Sequence, residues 1–250
     1  DIKQRKISYT SNNHDSKIYY DYLLFCTDPL TTSKILYDNS SYVEKKNYLG
    51  SSGKLTMFFK KPVEWKKEKA LETSFRFVFS QDTLDGLNDS GQMALNSQNN
   101  YTPGYIQIYP DGAAQRKLNN YENFDKIICF TKNFSFNKNS DDLIYAEQNI
   151  IEKISKLISN PEDLVGTKFI TPKDLNEVFF FPKGNIDHLA MDGSQNFEKR
   201  TFSSDPKNNF YNYSNYENIF CGGAGTFPCG SVSGTAGYMS SKQIIKKNKC

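Results

Sequence analysis

Over several short stretches of this chain apolar and polar positions alternate with a period of two, and over one long stretch they recur with a period near 3.6. Tyr105-Ile-Gln-Ile-Tyr109 alternates between Pro103-Gly104 and Pro110-Asp111-Gly112, which predicts a half-buried strand closed by a tight turn. Residues 126–136 begin as an almost continuous apolar run and end in alternation. They predict a strand leaving the core for an edge, with Ile127, Ile128 and Phe130 inside. Residues 17–26, 53–59, 74–79 and 178–181 read as further strands, 34–37 as a hairpin return and 186–191 as a continuation of the sheet. The long period lies at about 140–159. There Ser140, Asp141 and Asp142 mark a helix start, Leu143, Ile144, Ile150, Ile151, Ile154, Leu157 and Ile158 share one face, and Asn160-Pro161 ends it. A shorter helix is expected over 62–72, with Pro62 at its start and Trp65 anchoring it.

The elements together predict a mainly β chain with flanking helices, of the α+β class: an antiparallel β-sandwich carrying the amphipathic 140–159 helix. Residues 1–16, polar and Asn/Ser-rich around Lys3-Gln-Arg-Lys6, read as a projecting N-terminal arm. Residues 17–192 read as the sandwich core, and 193–250 as an irregular Asn/Tyr/Gly-rich tail packed on the core or on neighbouring copies. The polar segment 82–102 holds Asp82, Asp85, Asn88 and Asp89. Their spacing departs from the alternating ligands and final Glu of a calcium loop, which favours a solvated loop.

Composition changes the picture in two ways. Nineteen Phe and sixteen Tyr in 250 residues predict a core of rings rather than aliphatics, which again favours strands. A formal charge of +3, with Lys spread among Asp and Glu, gives no basic face and no expectation of a specific nucleic-acid partner. No run approaches a membrane span, and the first residues hold no signal-peptide core, so the chain is expected either in the cytoplasm or after removal of a leader.

Catalytic chemistry is not expected. Asp187-His188 are adjacent on an expected strand and would point to opposite faces, Gly222-Gly-Ala-Gly225 lacks the Gly-Lys-Ser/Thr ending of a phosphate loop, and no nucleophile stands in a known spacing. Five cysteines make no disulfide framework. Cys26 and Cys129 read as buried reduced thiols, Cys221 and Cys229 as a possible disulfide, and no zinc-ligand spacing or cofactor site is present.

Two patches carry a family resemblance. Tyr109-Pro-Asp-Gly-Ala-Ala-Gln-Arg-Lys-Leu118 ahead of the 127–130 strand, and Phe179-Phe-Phe-Pro182 followed by Asn185-Ile186, Leu189-Ala190 and Gly193-Ser194, resemble segments of the cypovirus polyhedrins. Gln4-Arg5 ahead of the aromatic 19–25 stretch is a weaker echo. The resemblance implies a non-enzymatic matrix protein whose copies associate as trimers and crystallise around virus particles, in occlusion bodies of the infected cell's cytoplasm, and dissolve in alkali.

The titration of the chain is compatible with that. Tyr and Lys titrate near pH 10, only Arg5, Arg76, Arg116 and Arg200 stay charged above it, and at pH 11 the charge would be on the order of −30 to −40. Tyr211, Tyr213 and Tyr216 are the candidate contact residues whose ionisation would switch such an assembly. The alternative is a secreted β-rich binding protein or toxin domain with a Cys221–Cys229 disulfide; a hydrolase without a recognisable motif ranks behind both.

Overall fold

The computed structural model describes residues 1–36, 41–66, 72–96, 104–119, 124–136, 140–229 and 233–248. In chain order these contain β1 (Lys6–Ser11), β2 (His14–Tyr19), β3 (Leu23–Phe25), α1 (Pro29–Ile35), α2 (Ser41–Glu44), β4 (Gly53–Phe59), β5 (Arg76–Phe79), α3 (Leu84–Leu95), β6 (Tyr105–Tyr109), α4 (Asp111–Asn119), β7 (Asp125–Thr131), α5 (Ser140–Ser155), β8 (Leu164–Ile170), α6 (Pro172–Glu177), α7 (Pro206–Asn209), β9 (Ile219–Cys221) and α8 (Thr235–Lys247). The class is α+β with mostly antiparallel pairing. The chain divides into two compact units, Leu49–Asn185 and the paired segments Asp1–Tyr48 and Ile186–Cys250. These boundaries differ from the expected division at 16/17 and 192/193.

The continuous unit is a five-stranded sheet in the order β5-β6-β7-β4-β8, antiparallel throughout. Alternation along the strands turns Leu55, Met57, Phe59, Ile106, Ile108, Ile127 and Cys129 to one face, where Ala146, Ile150, Ile154 and Ile158 of the α5 region cover them. The helix stripe predicted from the 3.6 period is therefore the second layer of this core. Ile128 and Phe130 point to the other face and are half-buried; the expectation that both lie in the core is corrected by the pleat, which lets only every second residue of β7 inward.

Other expectations are also revised. Pro29 opens α1 rather than breaking a strand, because Asp28 accepts a hydrogen bond from Thr31 N–H at 3.0 Å and caps the helix, so residues 34–35 are helical and no hairpin return forms. Pro110-Asp-Gly leads into α4 instead of a turn. The 82–102 segment is helix α3 over most of its described length, capped by Thr83, which accepts from Gly86 N–H at 3.1 Å. Residues 178–181 are irregular, and the strand in that region is β8, earlier in the chain. Residues 62–66 form no helix and are irregular apart from the bridge of Trp65 to Ile158; the rest of the helix expected there lies largely outside the described residues.

In the discontinuous unit, β1 and β2 form a hairpin whose two-residue turn, Asn12-Asn13, has φ of 50° and 63°, the left-handed pair that such turns require. Parallel strands β3 and β9 join its two segments, around Phe25, Val43, Tyr48, Leu189, Phe202, Tyr213, Ile219 and Cys221. The 193–250 region thus contributes to a core of its own and carries α8, although its sequence shows no regular period.

Candidate functional site

Two exposed ring clusters on the continuous unit stand on rigid frames. The first is the corner after α6. Thr171 and Asp174 make a reciprocal capping box, Thr171 N–H donating to Asp174 Oδ2 at 2.8 Å and Asp174 N–H to Thr171 Oγ1 at 3.2 Å. Beyond the helix, Phe181 N–H donates to Leu175 O at 3.0 Å, Lys183 N–H to Asn176 Oδ1 at 3.0 Å and Gly50 N–H to Lys183 O at 3.1 Å. Gly184, at φ 68°, lies so close to Pro172 that any Cβ would sit 2.1 Å from its carbonyl oxygen. Between these ties the chain holds Val178, Phe179 and Phe180 outward, with Phe180 79% exposed and at φ 58°. A left-handed backbone at a bulky residue is strained, and here it turns an apolar ring into solvent.

The second cluster is the outer face of the sheet. Cross-strand register places Phe77, Gln107, Phe130, Lys54 and Ile170 in one row and Tyr109, Ile128, Thr56 and Lys168 in the next. Ring centroids lie 5.4 Å apart for Phe75–Phe77 and Phe77–Phe79, 5.1 Å for Phe77–Tyr105 and 4.9 Å for Phe75–Tyr109. Phe75, Phe77, Phe79 and Tyr109 are all exposed. Lys132 Nζ stands 5.2 Å from the Phe130 ring and Lys126 pairs with Asp111 at 2.5 Å. Beneath this face Asp125 is buried and accepts from Val63 N–H at 2.9 Å and from Arg116 at 3.2 Å, Arg116 also pairing with Glu72. Burial alone would lower the Arg116 pKa, but its bonds to Asp125 and Glu72 outweigh burial and raise it.

The discontinuous unit draws Arg200 and Asp28 inside, with His188 half-buried beside them. Arg200 is 1% exposed and donates to the carbonyls of Asp187 (2.8 Å), Leu189 (2.9 Å), Ala190 (3.3 Å) and Ala224 (3.3 Å). Burial lowers its pKa, opposed by Cys229, Asp187 and Asp192. His188, at φ 60° in a turn rather than a strand, is pushed down by burial against the pull of Asp28 and Asp187. Asp28 is committed to capping α1, so the cluster ties loops together and presents no freed base. The glycine-rich segment is shaped by packing: a Cβ on Gly223 would meet Cys26 O at 2.8 Å, and one on Gly225 the Pro29 ring at 2.8 Å.

The predicted contact tyrosines and the Cys221–Cys229 pair lie in this unit. Tyr211 and Tyr213 are buried, and Tyr213 belongs to the unit's own core; only Tyr216 reaches a surface, lining a polar pocket of about 170 Å³ with Asp205, Asn212, Glu217 and Lys247. Cys221 and Cys229 are free thiols, so the possible disulfide between them is not formed. Cys26 is exposed instead of buried, while Cys129 is buried as expected. Asp82 precedes α3 and Asp85, Asn88 and Asp89 lie along it with exposed side chains; among the described residues no three His, Cys, Asp or Glu groups converge as a metal site. Sequence reasoning missed the exposed aromatic face, although the alternation of Phe75, Phe77 and Phe79 carried it: rings at i, i+2 and i+4 share one side of a strand.

No family model matches the chain, and no curated protein matches it.

Proposed function

We propose that this chain is a self-associating structural protein, the matrix of an intracellular particle built from its own copies. The observation that carries this reading is the corner at 178–180, where a fully hydrogen-bonded frame holds three adjacent apolar side chains in solvent and keeps Phe180 left-handed to do so. A monomer gains nothing from that arrangement; a surface that docks into another copy gains a desolvated anchor. The corner coincides with the Phe179-Phe-Phe-Pro182 patch that resembles the polyhedrins, which favours the fuller form of the proposal: trimeric association into a lattice around virus particles in the cytoplasm of an infected cell, released by alkali, with no catalytic role.

In this reading residues 1–16, which hold β1 with exposed Tyr9 and the start of β2, are the projecting arm. The face of the five-stranded sheet that α5 does not cover is then the surface a second copy meets.

Sedimentation of the purified chain at pH 7 over a concentration series, with electron microscopy of expressing cells, tests the reading. Concentration-dependent assemblies that disperse above about pH 10 are expected, and Phe179→Ser with Phe180→Ser should reduce them. A chain that stays monomeric at high concentration and forms no particles in cells would overturn it.

A further inference from the structure

The outer face of the five-stranded sheet is divided. Its β5–β6 side carries the linked rings of Phe75, Phe77, Phe79, Tyr105 and Tyr109. Its β4–β8 side carries exposed Lys54 and Lys168, and none of the five strands turns a carboxylate to this face, since Asp125 points inward. Helix α3 of the same unit is the converse. It is packed by Ser90 near Gly104 and Asn133, and it presents Leu84 (84% exposed), Met93 and Leu95 together with Asp85 and Asp89. From Phe77 to Gln115 the sequence has no Lys or Arg at all.

We propose that α3 of one copy docks across the aromatic and lysine face of a second copy. This rests on the self-association reading and names the surfaces. Dimensions and charge order agree. A helix of 12 residues is about 18 Å long, and five strands span about 19 Å at their usual spacing. Asp85, Asp89 and Met93 recur at i, i+4 and i+8 and form one exposed stripe of α3, the acids in its N-terminal half and Met93 in its last turn, while Leu84 and Leu95 lie on the neighbouring flank. One orientation of this stripe therefore sets the acids over Lys54 and Lys168 and Met93 over the rings. The two surfaces differ, so the contact is head-to-tail, and each copy keeps one free donor helix and one free acceptor face. Such a contact propagates unless its rotation closes a ring. A single-stranded nucleic acid fits the face less well, because Phe77 and Phe79 already stack on each other at 5.4 Å and leave no space for a base between them.

Charge reversal tests the contact with substitutions at exposed positions. Lys54→Glu with Lys168→Glu, and separately Asp85→Lys with Asp89→Lys, should each weaken association at least roughly tenfold by sedimentation, with the circular dichroism of the folded chain retained. An equal mixture of the two variants should associate again, because each supplies the complementary surface the other needs. If wild-type chain assembles and both variants assemble equally well, or if the mixture fails to recover, the α3 contact is wrong while self-association stands. Wild-type chain that stays monomeric overturns both readings, and so does one that binds a fluorescent single-stranded oligonucleotide through Lys54 and Lys168 without associating.

Discussion

The continuous unit and the discontinuous unit bury their centres by different chemistry. Residues 49–185 use periodic apolar side chains: alternate positions of β4, β6 and β7 meet the i, i+4, i+8 row of Ile150, Ile154 and Ile158, and the backbone satisfies itself within sheet and helix. Segments 1–48 and 186–250 have short strands and long irregular stretches, so their backbone groups are satisfied by polar side chains brought inside. Gln195 is 3% exposed, donates to Asn47 O at 2.7 Å and Ala190 O at 2.8 Å, and accepts from Asn47 N–H at 3.1 Å. Gln243 of α8 accepts from Tyr211 N–H at 3.0 Å. Arg200 gathers four carbonyls from two loops. The first architecture spreads its stability over many interchangeable contacts, whereas the second concentrates it in a few side chains.

That difference predicts unequal sensitivity, and the largest effect falls on Arg200. Arg200→Met keeps the stem but strips the carbonyls of a charged donor, and should cost about 4 kcal/mol. Hydrogen exchange should speed in residues 186–229 and stay unchanged in 49–185. Equal loss in both regions would remove the distinction between the units. Ile154→Ala, at a fully buried site of the periodic core, should cost about 3 kcal/mol through lost burial and the cavity left behind. Its exchange signature should be the reverse, confined to 49–185. A near-neutral Ile154→Ala would mean that the sheet-helix contact is loose.

Legibility in the sequence follows the same division. Helix α5 and strands β4, β6 and β7 announce themselves because a repeated side-chain period is a property of neighbouring residues. Helix α3 does not: with Gly86 and Gly91 inside and Asp and Asn along it, its local propensity is poor, and the Thr83 cap, the contacts of Ser90 and the packing of Leu87 beside Gly104 support it. Arg200 and Gln195 were unreadable because their partners lie in loops up to 148 positions away, and no spacing rule encodes such pairs. The aromatic face was half-legible. Its rings were visible as strand residues, but which side of the sheet they took depended on where α5 settled.

A smaller effect is expected at the α6 corner, where the Thr171–Asp174 cap is one of several ties that hold the exposed rings. Thr171→Ala removes the side-chain acceptor of Asp174 N–H and should cost about 1 kcal/mol. If the corner matters as a presented surface, Thr171→Ala should weaken association more than it lowers global stability, as compared by sedimentation and urea unfolding. Proportionate losses would make the cap merely structural.

The smallest effect concerns alkali and asks which rings respond. Burial raises the pKa of Tyr211 in the discontinuous unit, and burial followed by the neighbouring Tyr109 raises that of Tyr105 in the sheet. A folded chain that holds a phenolic proton more tightly than the unfolded chain is stabilised in full below the unfolded value near pH 10, and loses that contribution as the pH climbs through the raised folded value. Burial also pushes the thiols of Cys129 and Cys221 up to about 12, one in each unit, and their contributions fade in the same direction at high pH. Alkali therefore acts on the buried thiols of both units, on buried Tyr211 and on the half-buried ring of Tyr105 at the outer face of the sheet, in addition to charging any surface between copies. Tyr211→Phe and Tyr105→Phe should each raise the midpoint of alkaline unfolding by roughly a few tenths of a pH unit, read by far-ultraviolet circular dichroism between pH 8 and 12. If neither substitution moves the midpoint, the alkaline response does not run through these two rings.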